Sequence, residues 1–270
     1  MKDRLFFVFE NVLRKLYMKE KTIDFDLVAD LYDFYVNADL DLEFFLRETE
    51  GVDSPILELM AGTGRVSLPL LQRGRKLFCV DYSREMLQRL RNKTAPFGKN
   101  LETREADVRD FRFDRTFERI LLPFHSLSEI TDASDQKQVL KSVRNALSEN
   151  GIFLLTLQNP NVRLKNADGL TRPMGEFPLP DERKLVLSYW NSYDPNRCIV
   201  TGIQFYEIYD SKNILMEKRF LPIRFRPIFQ EQIYEYLHEL DYEIVSVYGD
   251  YSYSPFEEDT SPFMIFKLGK

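Results

Sequence analysis

Cysteine is almost missing from this chain: Cys79 and Cys198 are the only two in 270 residues, and they stand far apart. They cannot form a disulfide framework, and no Cys pair or His pair falls at metal-ligand spacing, so no metal centre is expected. Long apolar runs are missing too. Stretches such as Ile152 to Leu157 stop far short of the roughly 18 to 20 residues that a bilayer span needs. The run Leu5 to Phe9 is shorter than the roughly 7 to 15 residues of a signal segment, and no small-residue cleavage site follows it. These absences predict a cytoplasmic chain with no membrane contact. Positive charge is also in deficit: 37 Lys and Arg against 43 Asp and Glu give a net charge of −6. A basic surface that releases counterions from phosphates is therefore not expected, and neither is a nucleic-acid partner. No internal repeat or low-complexity tract occurs. What is present is 44% apolar residues, ample for one or two domains with real cores.

Between Ile56 and Gln158 short apolar runs alternate with amphipathic segments, the pattern of a parallel sheet with crossover helices. Strands are predicted at Ile56 to Met60, Leu77 to Val80, Leu101 to Ala106, Arg119 to Leu122 and Ile152 to Leu157. Met86, Leu87 and Leu90 share one helical face behind Ser83 as N-cap, and Val139, Leu140, Val143 and Leu147 share another. Asn150 and Gly151 are expected to end that second helix in left-handed geometry. Upstream, Leu5, Phe9, Val12, Leu13 and Leu16 fall at helical spacing, and an aromatic and acidic stretch follows to Tyr35. Residues 1–50 are read as a helical lid. Residues 159–181 hold four prolines and two glycines and are expected to be a loop. Lys184 to Tyr193, Cys198 to Tyr209 and Ile214 to Phe225 then read as strands of an antiparallel insert, 159–226. A final helix, about Ile228 to Leu240, leads to Tyr242 to Tyr248 and Met264 to Leu268, an antiparallel pair that closes the main sheet. The core thus comprises 51–158 and 227–270, with the insert on the acceptor side or at a dimer contact.

The most informative segment is Ile56-Leu57-Glu58-Leu59-Met60-Ala61-Gly62-Thr63-Gly64-Arg65, an apolar strand that runs into a small-residue loop. Glycines there let a ligand approach the backbone at the carboxyl end of the first strand. Asp81 ends the next strand, where a carboxylate can accept both hydroxyls of a ribose. Asp107 follows the third strand, in reach of an adenine amine. Three carboxylates at three consecutive strand ends suit an adenosine. Glu58 would repel the pyrophosphate of a dinucleotide, and Ser67 stands where a dinucleotide fingerprint has its third glycine. A sulfonium and an ammonium, by contrast, are attracted to Glu58. The charge pattern therefore favours S-adenosylmethionine.

Glu58 to Gly64 resembles the first motif of class I S-adenosylmethionine-dependent methyltransferases, and Val80 to Leu87 resembles the second. Ala106-Asp107-Val108-Arg109-Asp110-Phe111 is similar to the adenine-holding segment, and Leu121 to Leu127 to the fourth strand and the loop after it. Tyr32-Asp33-Phe34-Tyr35-Val36 is similar to the entry segment of small-molecule members, in which a tyrosine closes over the donor. Met60 departs from the usual pattern, standing where the family has its first glycine. The resemblance implies a Rossmann-like α/β fold: a seven-stranded, mostly parallel sheet with one antiparallel strand, here with an antiparallel β insert. It also implies methyl transfer to a small-molecule acceptor, on nitrogen or oxygen, with S-adenosylmethionine as cofactor. Tyr32, Glu58, Met60, Ala61, Gly62, Gly64, Asp81, Tyr82, Met86, Asp107, Val108 and Pro123 are then the cofactor-binding candidates. His125, after the fourth strand, is the candidate to orient or deprotonate the acceptor, since an imidazole with its ordinary pKa near 6.5 suits a base at neutral pH.

Other roles stay open. The core could bind the cofactor only as a regulatory or scaffold module, and a dinucleotide oxidoreductase is the more distant rival. Arg219, Arg224 and Arg226 in the insert are either the wet face of a sheet or a hold on an anionic acceptor. The aromatic loop Tyr248 to Phe256 either covers the acceptor or packs a homodimer.

Overall fold

The structure, a computed structural model, describes residues 23–270. The helix expected over residues 5 to 17 lies outside the described residues, as does most of the first half of the expected lid. The described chain opens with a 3-10 turn, Phe25–Leu27, and two short helices, α1 (Ala29–Tyr35) and α2 (Leu42–Glu48). The core follows as β1 (Ile56–Leu59), α3 (Ser67–Gln72), β2 (Leu77–Asp81), α4 (Arg84–Thr94), β3 (Leu101–Glu105), β4 (Phe117–Leu122), α5 (Ala133–Ala146) and β5 (Leu147–Gln158). Then come β6 (Asp168–Pro178), β7 (Lys184–Asp194), β8 (Ile199–Tyr209), β9 (Leu215–Phe225), α6 (Gln230–Glu239), β10 (Glu243–Tyr248) and β11 (Phe263–Gly269).

Seven strands form one sheet in the order β10-β11-β5-β4-β1-β2-β3, and only β11 runs against the rest. Every residue of β1 and β2 is buried, because helices cover both faces. Alternate residues serve opposite sides. Leu57, Leu59, Ile120, Leu122, Phe153 and Leu155 pack with Val139, Leu140 and Val143 of α5 and Ile233 and Leu237 of α6. Ile56, Leu121 and Leu154 face Leu70, Leu71, Leu90, Phe44 and Phe45 on the other side. Each such side chain contributes about 1.5–3 kcal/mol on burial. The Ser83 hydroxyl accepts from the Met86 N–H at 3.0 Å and so caps α4 as the sequence predicts. Among the described residues no helix is long and apolar enough to cross a membrane.

Two local expectations are corrected. The stretch 159–181 is not a loop: Pro160 opens a one-turn helix, Pro160–Arg163, and β6 then occupies 168–178. Proline is tolerated there because β6 is an edge strand, and its register shifts between Pro173 and Gly175. Likewise, Asn150 and Gly151 do not cap α5, which ends at Ala146 and passes directly into extended backbone at Leu147. Gly151 serves a different need: a Cβ there would stand 2.9 Å from the Phe117 carbonyl oxygen and 2.8 Å from the Leu147 side chain.

Strands β6 to β9 make a separate antiparallel sheet in chain order. Aspartates build its turns: the Asp194 carboxylate accepts from the Asn196 and Arg197 N–H groups, and that of Asp210 from Lys212 and Ile214. Leu185, Leu187, Tyr206, Ile208 and Leu221 of this sheet form a third core with Val28 and Leu31. The segment around α1 is thereby sandwiched between the second sheet and the carboxyl ends of the first.

Candidate active site

Strand order reverses at β1. The chain builds β2 and β3 outward on one side of it, then returns to place β4 on the other, so the β1 and β4 loops diverge at their carboxyl ends. Such a switch point leaves a crevice. A cleft opens there with two neighbouring lobes that share Met60, Tyr82 and Glu129.

The first lobe brings together Tyr32, Glu58, Met60, Ala61, Gly62, Asp81, Tyr82 and Met86, as the sequence reading expects. Gly62 has φ +57°, and a Cβ on it would meet nothing, so this backbone leaves open space for a ligand. The Asp81 carboxylate accepts from the Gly62 N–H through one oxygen and from the Ser83 N–H through the other, both at 2.8 Å. Each oxygen keeps a lone pair for a further donor, which fits the two hydroxyls of a ribose. Burial raises the Asp81 pKa, against those backbone hydrogen bonds. Glu58 is 1% exposed and accepts from the Ser67 hydroxyl at 2.5 Å. Desolvation pushes its carboxyl up to about 7, the hydrogen bond from Ser67 opposing the shift. The residue that replaces a third glycine thus holds the acid of the first motif in place.

The second lobe is lined by Asp107 and Val108 with Ile23 and Ile130. Both predicted adenine-segment residues are therefore present. The Asp107 carboxylate, however, is already engaged: the Arg109 Nε lies 2.9 and 3.0 Å from its two oxygens, and this pairing lowers its pKa.

Three expected residues do not line either lobe. Gly64 lies behind the loop, with φ +84°, where a Cβ would press on the Leu90 side chain at 3.0 Å. Pro123 is buried at the start of the β4 loop. His125 is turned away: its ring stacks on Phe263 at 5.1 Å with an interplanar angle of 11°, and its Nδ1 is buried without a partner. Desolvation, with smaller contributions from Arg163 and Arg65, lowers its pKa to about 3. The expectation of a base that titrates near neutrality is corrected accordingly. Phe124 and His125 both adopt left-handed backbone, φ +58° and +63°. This double turn points Phe124 into the first lobe and His125 back toward the core.

Several site residues were not foreseen. Arg65 forms a bidentate pair with Asp41, 2.5 and 2.7 Å, and stacks over Phe124 at 4.8 Å. The Thr63 hydroxyl donates to Asp33 at 2.5 Å, the Tyr82 hydroxyl to the Ile23 carbonyl, and the Ser83 hydroxyl to Asp26. Residues 23–41 are thus fastened across the cleft. Glu129 ends a 3-10 turn, Ser126–Glu129, whose start is fixed by the Ser126 hydroxyl donating to the Pro123 carbonyl at 3.0 Å. Its only sequence signal is its place in the loop after the fourth strand. Two of the three insert arginines are not a free anion hold: Arg219 pairs with Asp30 and Glu217, and Arg226 donates to the Thr131 and Arg197 carbonyls, whereas the Arg224 Nε is buried without a partner.

Residues 56–151, which carry the glycine loop, Asp81, Asp107 and the β4 loop, match the family described as "Methyltransferase domain". This segment is therefore a methyltransferase domain. Over 133 residues, 49% of its length, the chain is 26% identical to the cypemycin N-terminal methyltransferase of a Streptomyces species. Over 164 residues, 59% of its length, it is 27% identical to the glycine/sarcosine N-methyltransferase of Parasynechococcus marenigrum (strain WH8102). The matched stretches span 53% and 58% of those relatives. The solved structure of the CcbJ methyltransferase from Streptomyces caelestis superposes with a TM-score of 0.75 at 21% identity, over 93% of this chain and 98% of that one. The methyltransferase fold therefore extends through nearly the whole molecule, second sheet included.

Proposed function

We propose that this chain methylates a nitrogen of a small molecule, with S-adenosylmethionine as methyl donor. The observation that carries the donor assignment is the Asp81 carboxylate, fixed by the Gly62 and Ser83 N–H groups at the floor of the cleft with acceptor capacity to spare. Asp81 holds the ribose hydroxyls. Gly62 lets the methionine part lie on the backbone, and Glu58 attracts its ammonium. Met60, Tyr82 and Val108 enclose the adenine. Asp107 contributes through its backbone neighbourhood more than its carboxylate, which Arg109 occupies. When bound, the cofactor supplies a methyl group made electrophilic by a positively charged sulfur.

Nitrogen is favoured by charge. Asp81 faces the first lobe with Glu58 and Glu129, two carboxyls that a bound cation can draw into their ionised form, while among the described residues its one cation, Arg65, is neutralised by Asp41. Such a lobe attracts amines and disfavours anionic acceptors. One of the two named relatives is a glycine/sarcosine N-methyltransferase and the other an N-terminal methyltransferase, which supports the same reading. Tyr32 and Phe124 cover the donor and exclude water, so that in-line positioning does most of the work. His125 acts as a positioning residue, its stacked ring fixing the double turn that presents Phe124. The N-terminal segment serves as lid, and residues 159–226 form the acceptor-side wall, reached through the Tyr35 and Tyr206 hydroxyls, 2.9 Å apart.

The test is mass spectrometry of the full chain with S-adenosylmethionine and a panel of primary amines, secondary amines, alcohols and carboxylic acids. Methylation confined to amines is expected. Methylation of alcohols or acids alone would overturn the nitrogen assignment.

A further inference from the structure

Among the described residues, Glu129 is the one carboxyl lining the cleft that no hydrogen bond or ion pair engages. It lies at the junction of the two lobes, lining both, at the end of the 3-10 turn after β4. Glu58 has the Ser67 hydroxyl, Asp81 has two backbone N–H groups, and Asp107 has Arg109. Among the described residues no donor or cation pairs with the Glu129 carboxyl. The groups that act on it or feel it are Asp81 at the end of β2, Tyr82 just beyond, and Tyr32 and Tyr35 of α1. None of these supplies positive charge, and the nearest cation in the lobe, Arg65, is spent on Asp41. A half-buried carboxyl in that setting holds its proton above the usual carboxyl range, its pKa raised to about 8 by desolvation and the Asp81 charge.

On the methyltransferase reading above, the two states of the donor differ at one atom. Before transfer its sulfur is a sulfonium, and after transfer it is a neutral thioether. The ammonium and carboxylate of its methionine part are the same in both. We propose that Glu129 is the counter-charge of the sulfonium, ionised while the methyl donor is bound and protonated again once the methyl has left. The step balances. The acceptor nitrogen's lone pair forms the N–C bond, the C–S pair remains on sulfur, and the proton shed by the methylated nitrogen passes to the Glu129 carboxylate. Positive charge thus leaves the sulfur as a proton returns to the acid, and the cleft keeps the same net charge through the transfer.

The experiment is titration calorimetry of the full chain with S-adenosylmethionine and with S-adenosylhomocysteine at pH 7, in buffers of different ionisation enthalpy. The dependence of the heat on buffer counts protons released. Contributions from Glu58 and Asp81, which meet groups common to both ligands, cancel in the difference. Release of up to about one proton more with S-adenosylmethionine than with S-adenosylhomocysteine is expected. That difference should vanish in Glu129→Gln, and should shrink in the unaltered chain above about pH 9, where Glu129 is already ionised. Equal proton release for the two ligands in the unaltered chain, or a difference that persists in Glu129→Gln, would overturn the inference while leaving the methyltransferase reading intact. Binding of neither ligand by the folded chain would overturn both.

Discussion

The Arg65 guanidinium grips the Asp41 carboxylate with two parallel bonds, 2.5 and 2.7 Å, and Asp41 is only 2% exposed. One partner belongs to the glycine loop and the other to the segment that crosses the cleft, so this pair ties the lid to the donor site. Breaking a buried pair from one side strands a charge, at a cost of about 3–5 kcal/mol. Arg65→Met should lower the denaturant midpoint accordingly, and the double variant Arg65→Met with Asp41→Asn should recover part of the loss. Chemical denaturation of the two variants beside the unaltered chain decides this. Equal stability of Arg65→Met and the unaltered chain would mean that the pair does not hold the lid.

The two loop glycines should respond differently. Gly64→Ala combines positive φ with contact at 3.0 Å against Leu90, so it should destabilise by more than the roughly 1–2 kcal/mol of left-handed strain alone. Gly62→Ala meets open space, so its stability loss should stay near that strain. Its methyl group instead takes room in the cleft, and donor affinity should fall. Thermal unfolding paired with ligand titration separates the effects.

Asp81→Asn keeps an acceptor for one backbone N–H but removes the charge that two donors share. Affinity for S-adenosylmethionine and S-adenosylhomocysteine should fall together, by about tenfold or more. Unchanged affinity for both would remove the ribose assignment.

Near neutrality, stability of the ligand-free chain should depend on pH chiefly through three groups. Glu58 and Glu129 have folded pKa values raised to about 7 and 8 from the usual carboxyl range, so the folded state holds their protons longer than the unfolded state. Their contribution is present at low pH and is lost as pH rises from the ordinary carboxyl pKa through 7 and 8. His125, lowered to about 3, acts in the opposite sense: its contribution is present above its ordinary pKa and is lost as pH falls below 6.5. Between pH 6.5 and 8 the two carboxyls outweigh His125, whose unfolded form is still partly protonated at the low end, and stability should fall there by about 1–2 kcal/mol per pH unit. Glu129→Gln should flatten that slope, and a slope that it leaves unchanged would place Glu129 outside the titration.

The sheet was legible because its central strands are buried on both faces and read as largely apolar runs, Ile56 to Leu59, interrupted by Glu58 alone, and Leu77 to Val80. The donor loop was legible because Gly62 and Asp81, whose contact is local to two adjacent strand ends, carry a known pattern. Strand β6 was not, since Pro173 argues against any interior strand and only the register of the second sheet makes it an edge. Arg65 and Asp41 are 24 residues apart, and neither segment signals the other. Glu129 was hidden for a similar reason: its neighbours Asp81, Tyr82 and Tyr32 come from distant parts of the chain. His125 was overvalued because a histidine's residue type speaks of chemistry, while the turn that buries its ring is set by two left-handed residues.

The central claim is that the cleft at the β1 and β4 ends holds an adenosyl donor without phosphates. Calorimetric titration of the purified chain with S-adenosylmethionine, S-adenosylhomocysteine and NAD tests it most directly. Micromolar binding of both adenosyl ligands, with none of NAD, is the predicted result. Binding of NAD alone, or of no ligand by a folded sample, would contradict it.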